Sequence, residues 1–175
     1  MSCTIFQIVN IDYYVMDNYP IIRIFGREIN GKSICCFIDN FEPYFYIELR
    51  KEDKNIEYLI KKLIQKYPQI KKIEIVNKYK PIGFQNKKIK MLKITVYLPS
   101  YVRDLRDILL FNEENIINKV YESDILFRNR FMIDNDINGF QWCFISQEDI
   151  IFNSILVKKI NCYCDIKYHI IKIKK

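Results

Sequence analysis

Residues 43–67 read PYFYIELRKEDKNIEYLIKKLIQKY, and the two halves of this stretch have different periods. The first half alternates as a strand does, with Tyr44 and Tyr46 on one face and Phe45 and Ile47 on the other. The second half carries Ile56, Leu59, Ile60, Leu63, Ile64 and Tyr67 at helical spacing, one continuous apolar stripe. Asp53 is the expected N-cap and Pro68 the stop. Beyond it, 71–78 (KKIEIVNK) alternates again, Pro81 and Gly83 mark a turn, and 89–98 (IKMLKITVYL) reads as a strand. Pro99 and Ser100 open a second helix that buries Tyr101, Val102, Leu105, Ile108 and Leu109, and 116–121 form a short strand. The order over 43–121 is therefore β-α-β-β-α-β, the split pattern of ferredoxin-like folds. Two helices would cover one face of an antiparallel sheet and leave the other open to a partner.

Outward from this core, 4–14, 21–27 and 33–38 read as strands rich in β-branched and aromatic residues. The last two are joined by residues 28–32, where Asn30-Gly31 is expected to supply the positive φ angles of a tight hairpin. On the far side, Ser123 or Asp124 is expected to cap a helix through Phe131. Asn138-Gly139 ends that region, and strands follow at 140–145, about 155–160 and 161–171. The expected class is α+β: an N-terminal β hairpin region joined to a ferredoxin-like unit, with further C-terminal strands. No repeat or linker interrupts residues 1–175, so one domain is expected. Its approximate lobes are 1–42 plus 122–175, mostly β, and 43–121.

The 175 residues are half apolar and 15% aromatic, enough to bury a core and to exclude wholesale disorder. Alanine is absent, whereas isoleucine (34), lysine (21) and asparagine (15) are abundant, a skew expected of an AT-rich coding sequence. The net charge of +7 hides unequal blocks: −2 over 1–50, +9 over 51–100, −5 over 101–150 and +5 over 151–175. Such a basic block fits either a phosphate backbone or lysine-rich solvated surface. No apolar run reaches the roughly 18 residues of a membrane span and no basic-then-apolar leader opens the chain, so no membrane partner is expected. The six cysteines are expected to be reduced and the protein intracellular.

Chemistry-bearing constellations are sparse. His169 is the sole histidine, so no two-histidine metal set or Ser-His or Cys-His pair can be built. Residues 134–139 (DNDING) copy the first half of a calcium loop, but Ile145 stands where its bidentate glutamate belongs. A helix-end turn is the better reading. Cys162 and Cys164 lack two further zinc ligands, and the four glycines stand too far apart for a phosphate cradle. No metal or cofactor is expected in this chain, and its side chains alone do not describe an enzyme. The mixture of rings and cations says more. Tyr44 and Tyr46 share a face, Lys87, Lys88, Lys90 and Lys93 sit on or beside a strand, and Arg128 and Arg130 flank Phe127 and Phe131. Rings can stack on unpaired bases while cations hold phosphates, although such rings also serve as core.

Three strings in order, IDYYV at 11–15, PIIRIFGREINGKSICCFIDNFEPYFYIEL at 20–49 and DILFRNRFMIDNDINGFQW at 124–142, resemble the N-terminal domain of family B DNA polymerases. The likeness is greatest to the eukaryotic delta type and its relatives in large DNA viruses. It covers most of 10–145, and from 150 onward the match is loose. In that family the domain precedes an exonuclease domain, announced by Asp-x-Glu, and a palm carrying Asp-Thr-Asp. Neither string occurs here.

The resemblance thus implies a non-catalytic N-terminal module, a split-gene product or a truncation of a DNA-directed DNA polymerase. Its partners would be single-stranded template DNA and the remaining polymerase domains, in cis or as a separate chain, in a nucleus or a viral replication compartment. Mg²⁺ would belong only to the exonuclease and palm domains. Archaeal members capture template uracil in a pocket whose counterparts by motif are Tyr13, Pro43, Tyr44, Met91, Phe127 and Arg130. Met91 departs from the smaller aliphatic residue usual there, so the carry-over is a template-strand contact rather than a uracil sensor. With Tyr46, Lys87, Lys88, Lys90 and Arg128 these make the expected nucleic-acid-binding set. The alternative is a protein-interaction scaffold whose basic block meets an acidic partner, with no role for DNA.

Overall fold

The computed structural model describes residues 3–50, 55–80, 86–146 and 166–170. Its elements run β1 (Cys3–Met16), β2 (Tyr19–Glu28), β3 (Ser33–Ile38), β4 (Tyr44–Leu49), α1 (Ile56–Lys66), β5 (Ile70–Lys78), β6 (Ile89–Val96), α2 (Ser100–Asn112), β7 (Ile117–Tyr121), α3 (Phe127–Asp134), β8 (Trp142–Ser146) and β9 (Ile166–Ile170). The mixture is α+β, mostly antiparallel sheet with three helices among the described residues. Two compact units emerge, one from residues 1–41 with 126–175 and the other from 42–125.

In the discontinuous unit the sheet order is β8-β1-β2-β3-β9, antiparallel except where β9 runs parallel to β3. Alternation gives this sheet two apolar faces. Phe127 and Phe131, one turn apart on α3, cover Phe6, Ile8, Ile22, Ile24 and Cys36 on the first face. Ile21, Cys35 and Phe37 form the core of the other, with Tyr14 and Phe25 against them. A bulge at Val9 offsets the β1–β2 register. Opposite it, a Cβ on Gly26 would lie 2.6 Å from the Gln7 carbonyl oxygen and against the Phe6 ring. Only glycine fits.

In the contiguous unit the order is β5-β6-β4-β7, every neighbouring pair antiparallel. Phe45, Ile47, Leu92 and Ile94 meet Leu59 and Leu63 of α1 and Leu105 and Leu109 of α2, one core on one face of the sheet. Glu113, just past α2, is 6% exposed and accepts hydrogen bonds from Lys66 Nζ (2.6 Å) and Tyr67 Oη (3.0 Å), tying the ends of the two helices together.

Four expectations change. At the 28–32 hairpin only Gly31 has a positive φ (85°), while the Asn30 side chain accepts from the Lys32 backbone N–H. α3 is capped by Leu126 and starts at Phe127, rather than being capped at Ser123 or Asp124, because Glu122 is left-handed (φ 61°) and Leu126 is extended (ψ 141°). It runs on to Asp134. The strand expected over 89–98 ends at Val96. The N-cap of α1 is Asn55 rather than Asp53, because the helix begins only at Ile56. The strand near 155–160 and Cys162 and Cys164 lie outside the described residues.

Candidate nucleic-acid interface

The contiguous unit sorts its lysines into engaged and unengaged. Lys66 pairs with Glu113 at 2.6 Å, Lys71 with Glu42 at 2.5 Å and Lys80 with Glu48 at 2.8 Å, while Lys72 lies between Glu42 and Glu74. Lys87, Lys88 and Lys90, where the chain enters β6, are exposed, and no acidic side chain among the described residues pairs with them. Lys88 lies over the Tyr79 ring at 5.4 Å. Unpaired surface ammonium groups are the kind that phosphates recruit by counterion release.

The tyrosines of β4 behave differently from the expectation. Tyr44 and Tyr46 lie on the sheet face opposite the helices, yet they are 9% and 5% exposed. Their rings meet edge to face at 5.5 Å, with Lys93 Nζ 3.9 Å from the Tyr44 centroid and Lys78 Nζ 5.3 Å from that of Tyr46. Burial and overlying cations take both rings out of the set open to a stacking base. Pro43 and Met91 are buried as well.

On the same face Glu48 accepts from the Tyr121 hydroxyl at 2.6 Å and from Lys80. Burial alone would raise the Glu48 pKa, but these donors outweigh it and hold the carboxyl below its usual range. Burial, with the hydrogen bond to Glu48, pushes Tyr121 up to about 12. Lys78 and Lys80 belong to the lysines of 78–93 expected to hold phosphates, and here they face a tyrosine ring and a carboxylate instead; Tyr121 and Glu48 were not singled out from sequence. Their signal is the period-2 alternation of β4, β5 and β7, invisible until the strands are paired.

In the discontinuous unit Tyr13 is 40% exposed, and its ring meets Phe127 edge to face at 5.1 Å. Phe127 itself is 6% exposed and belongs to the core with Phe41 and Phe131. Arg128 is exposed on α3. Arg130 is 6% exposed and stands 3.9 Å from Asp134 one turn on, so it is built into the fold rather than offered to solvent. α3 ends at Asp134, and the Asn135 side chain donates to the Phe131 carbonyl at 2.8 Å at the helix end. The expected residues therefore fall in two groups. Tyr13, Phe127, Arg128 and Arg130 belong to one unit, and Pro43, Tyr44, Tyr46, Lys87, Lys88, Lys90 and Met91 to the other. Among the described residues no helix is long and apolar enough to cross a membrane.

Comparison with known proteins adds to this geometry. Residues 118–174 match the model of the DNA polymerase family B exonuclease domain. That match reaches well past 150, where the sequence reading found only a loose resemblance and expected the chain to stop short of the exonuclease. The DNA polymerase delta catalytic subunit of Arabidopsis thaliana is 32% identical over 94% of this chain and 17% of that protein. The Drosophila melanogaster subunit of the same name is 33% identical over 70% of the chain and 13% of that protein. A DNA polymerase of a Thermococcus species is 33% identical over 75% of the chain and 7% of that protein. The chain thus spans less than a fifth of the length of these relatives. A solved family B DNA polymerase from Pyrobaculum calidifontis shares the fold with a TM-score of 0.70 at 22% identity, over 98% of this chain and 20% of that one. On these likenesses the chain belongs to the family B DNA polymerases, as an N-terminal region of that family.

Proposed function

We propose that the chain is a non-catalytic module of a replicative family B DNA polymerase that contacts single-stranded template DNA and braces the exonuclease and polymerase domains. The observation carrying this reading is the cluster of Lys87, Lys88 and Lys90, exposed and without an acidic partner among the described residues, in a chain of this family. Arg128 and the half-open ring of Tyr13 supply a further cation and a stacking surface in the other unit. The strand order β5-β6-β4-β7 supports a ferredoxin-like reading of residues 42–125, an arrangement in which helices occupy one sheet face only. Bond-making, with Mg²⁺, belongs in this proposal to other polymerase domains, as partners in cis or as a separate chain. The site of action would be a nuclear or viral replication compartment.

Fluorescent single-stranded DNA titrated with the full chain across a salt series tests the proposal. Affinity should fall steeply as salt rises. No binding at low salt, or binding indifferent to salt, would remove the DNA contact. If reversing Lys87, Lys88 and Lys90 to Glu leaves DNA binding untouched but abolishes capture of an acidic protein, the scaffold alternative replaces it.

A further inference from the structure

Where β4 ends and β6 begins, the contiguous unit holds a cavity of about 400 Å³. That volume falls within the ~300–1,000 Å³ of small-molecule sites. Its walls divide by chemistry. Arg50, Lys88 and Lys90 bring three cations, Asn77 an amide, and Leu49 and Ile56 apolar surface. Arg50 donates Nε to the Glu114 carbonyl at 2.5 Å, a contact that anchors the guanidinium. Among the described lining residues the one carboxylate, Glu48, is already engaged by Lys80 and Tyr121, so it does not cancel the three cations. Excess positive charge beside an apolar wall, with an amide able to donate and accept, suits a heterocycle joined to a phosphate.

Resting on the template-strand reading above, we propose that this cavity binds a single nucleotide unit. Arg50, Lys88 and Lys90 hold the phosphate, the base lies against Leu49 and Ile56, and Asn77 meets the base edge. Such a unit can come from a DNA strand or from a free nucleotide. A site of this kind converts a diffuse basic surface into one with a fixed register along the strand.

The test uses the full chain with two probes, a short fluorescent oligothymidylate and free dTMP. Three variants are compared with the parent: Ile56→Trp, which fills the cavity without touching a charge, Asn77→Ala and Lys90→Gln. Ile56→Trp should weaken oligothymidylate binding several-fold with the salt slope unchanged. Asn77→Ala should weaken it by a smaller factor, and Lys90→Gln should also flatten the log–log salt slope by about 0.7. Should Ile56→Trp fail to fold by circular dichroism, Asn77→Ala and Lys90→Gln carry the decision. If dTMP binds and Ile56→Trp or Asn77→Ala weakens it, the cavity accepts free nucleotide; if only the strand responds, it is a strand subsite. If these variants leave both probes unaffected while Lys87→Gln and Arg128→Gln weaken the strand, the cavity proposal falls and the template reading stands. If the parent binds dTMP but no strand, the template reading falls and the cavity remains. Binding of neither probe overturns both.

Discussion

Replacing Tyr121 by Phe deletes one oxygen from the face of the contiguous sheet that carries Tyr44 and Tyr46. The hydroxyl lost is the donor that reaches Glu48 Oε2 at 2.6 Å, a short, charge-assisted bond at a side chain only 12% exposed. Hydrogen bonds to charged partners contribute about 1.5–3 kcal/mol. Lys80 remains on the other carboxylate oxygen at 2.8 Å, which limits the damage, so a loss of about 2 kcal/mol is expected at neutral pH. Urea denaturation followed by circular dichroism reads this as a lower midpoint at unchanged slope.

The pH dependence gives a second reading. Glu48 is held below its ordinary value, so the stability it contributes is present above the unfolded pKa near 4.5 and is lost as pH falls through the lower, folded value. The gap between parent and variant should therefore narrow in acid. Tyr121 has the opposite sign. Its folded pKa of about 12 lies above the ordinary 10.0, so its contribution is intact below pH 10 and disappears as pH rises through about 12. An ultraviolet titration of the parent should show one late tyrosine that the variant lacks. A variant within about 0.5 kcal/mol of the parent at pH 7, a spread typical of plain surface changes, would refute the argument. So would a gap that persists unchanged in acid.

Gly26→Ala should cost at least about 1–3 kcal/mol, since the added methyl meets the Gln7 carbonyl and the Phe6 ring; thermal unfolding would expose a tolerant site as an unshifted midpoint. Leu105→Ala, at a fully buried position between α2 and its sheet, should cost about 2–5 kcal/mol by the same assay, and a loss below 1 would mean the helix is not seated there. Changing Lys87, Lys88 and Lys90 together to Gln should lower the log–log salt slope of single-strand binding by about 0.7 for each cation–phosphate contact removed, up to about 2. An unchanged slope would show that the strand passes elsewhere.

The contiguous unit was largely legible in the sequence because its signals are local. The stripe from Ile56 to Tyr67 and the alternation of Tyr44 to Ile47 each fit within one element, and both appear as read. The β1–β2 turn was equally local but passed unread. Asp17 and Asn18, both left-handed at φ 49° and 64°, form the two-residue hairpin that short polar side chains permit, without the glycine that usually announces it. Long-range pairing had no local signal at all. Nothing in Ser33–Ile38 says that Ile166–Ile170 will lie parallel beside it. The candidate site divided along the same line. Runs of lysine identified exposed cations, because charge at a strand entrance is solvated wherever the strand lies. The burial of Tyr44, Tyr46 and Arg130, by contrast, depends on neighbours distant in sequence.

The parallel strand β9 and the helix α3 give the discontinuous unit a particular history during synthesis. The first three strands leave the ribosome with Phe6, Ile8, Ile22 and Ile24 already arranged for burial, but the rings that cover them, Phe127 and Phe131, are encoded beyond the whole of the contiguous unit. At ~5–20 residues per second the nascent meander waits several seconds with an apolar side bare, while the insert can complete its own core first. During that interval the bare side of the meander is open to chaperones and to aggregation.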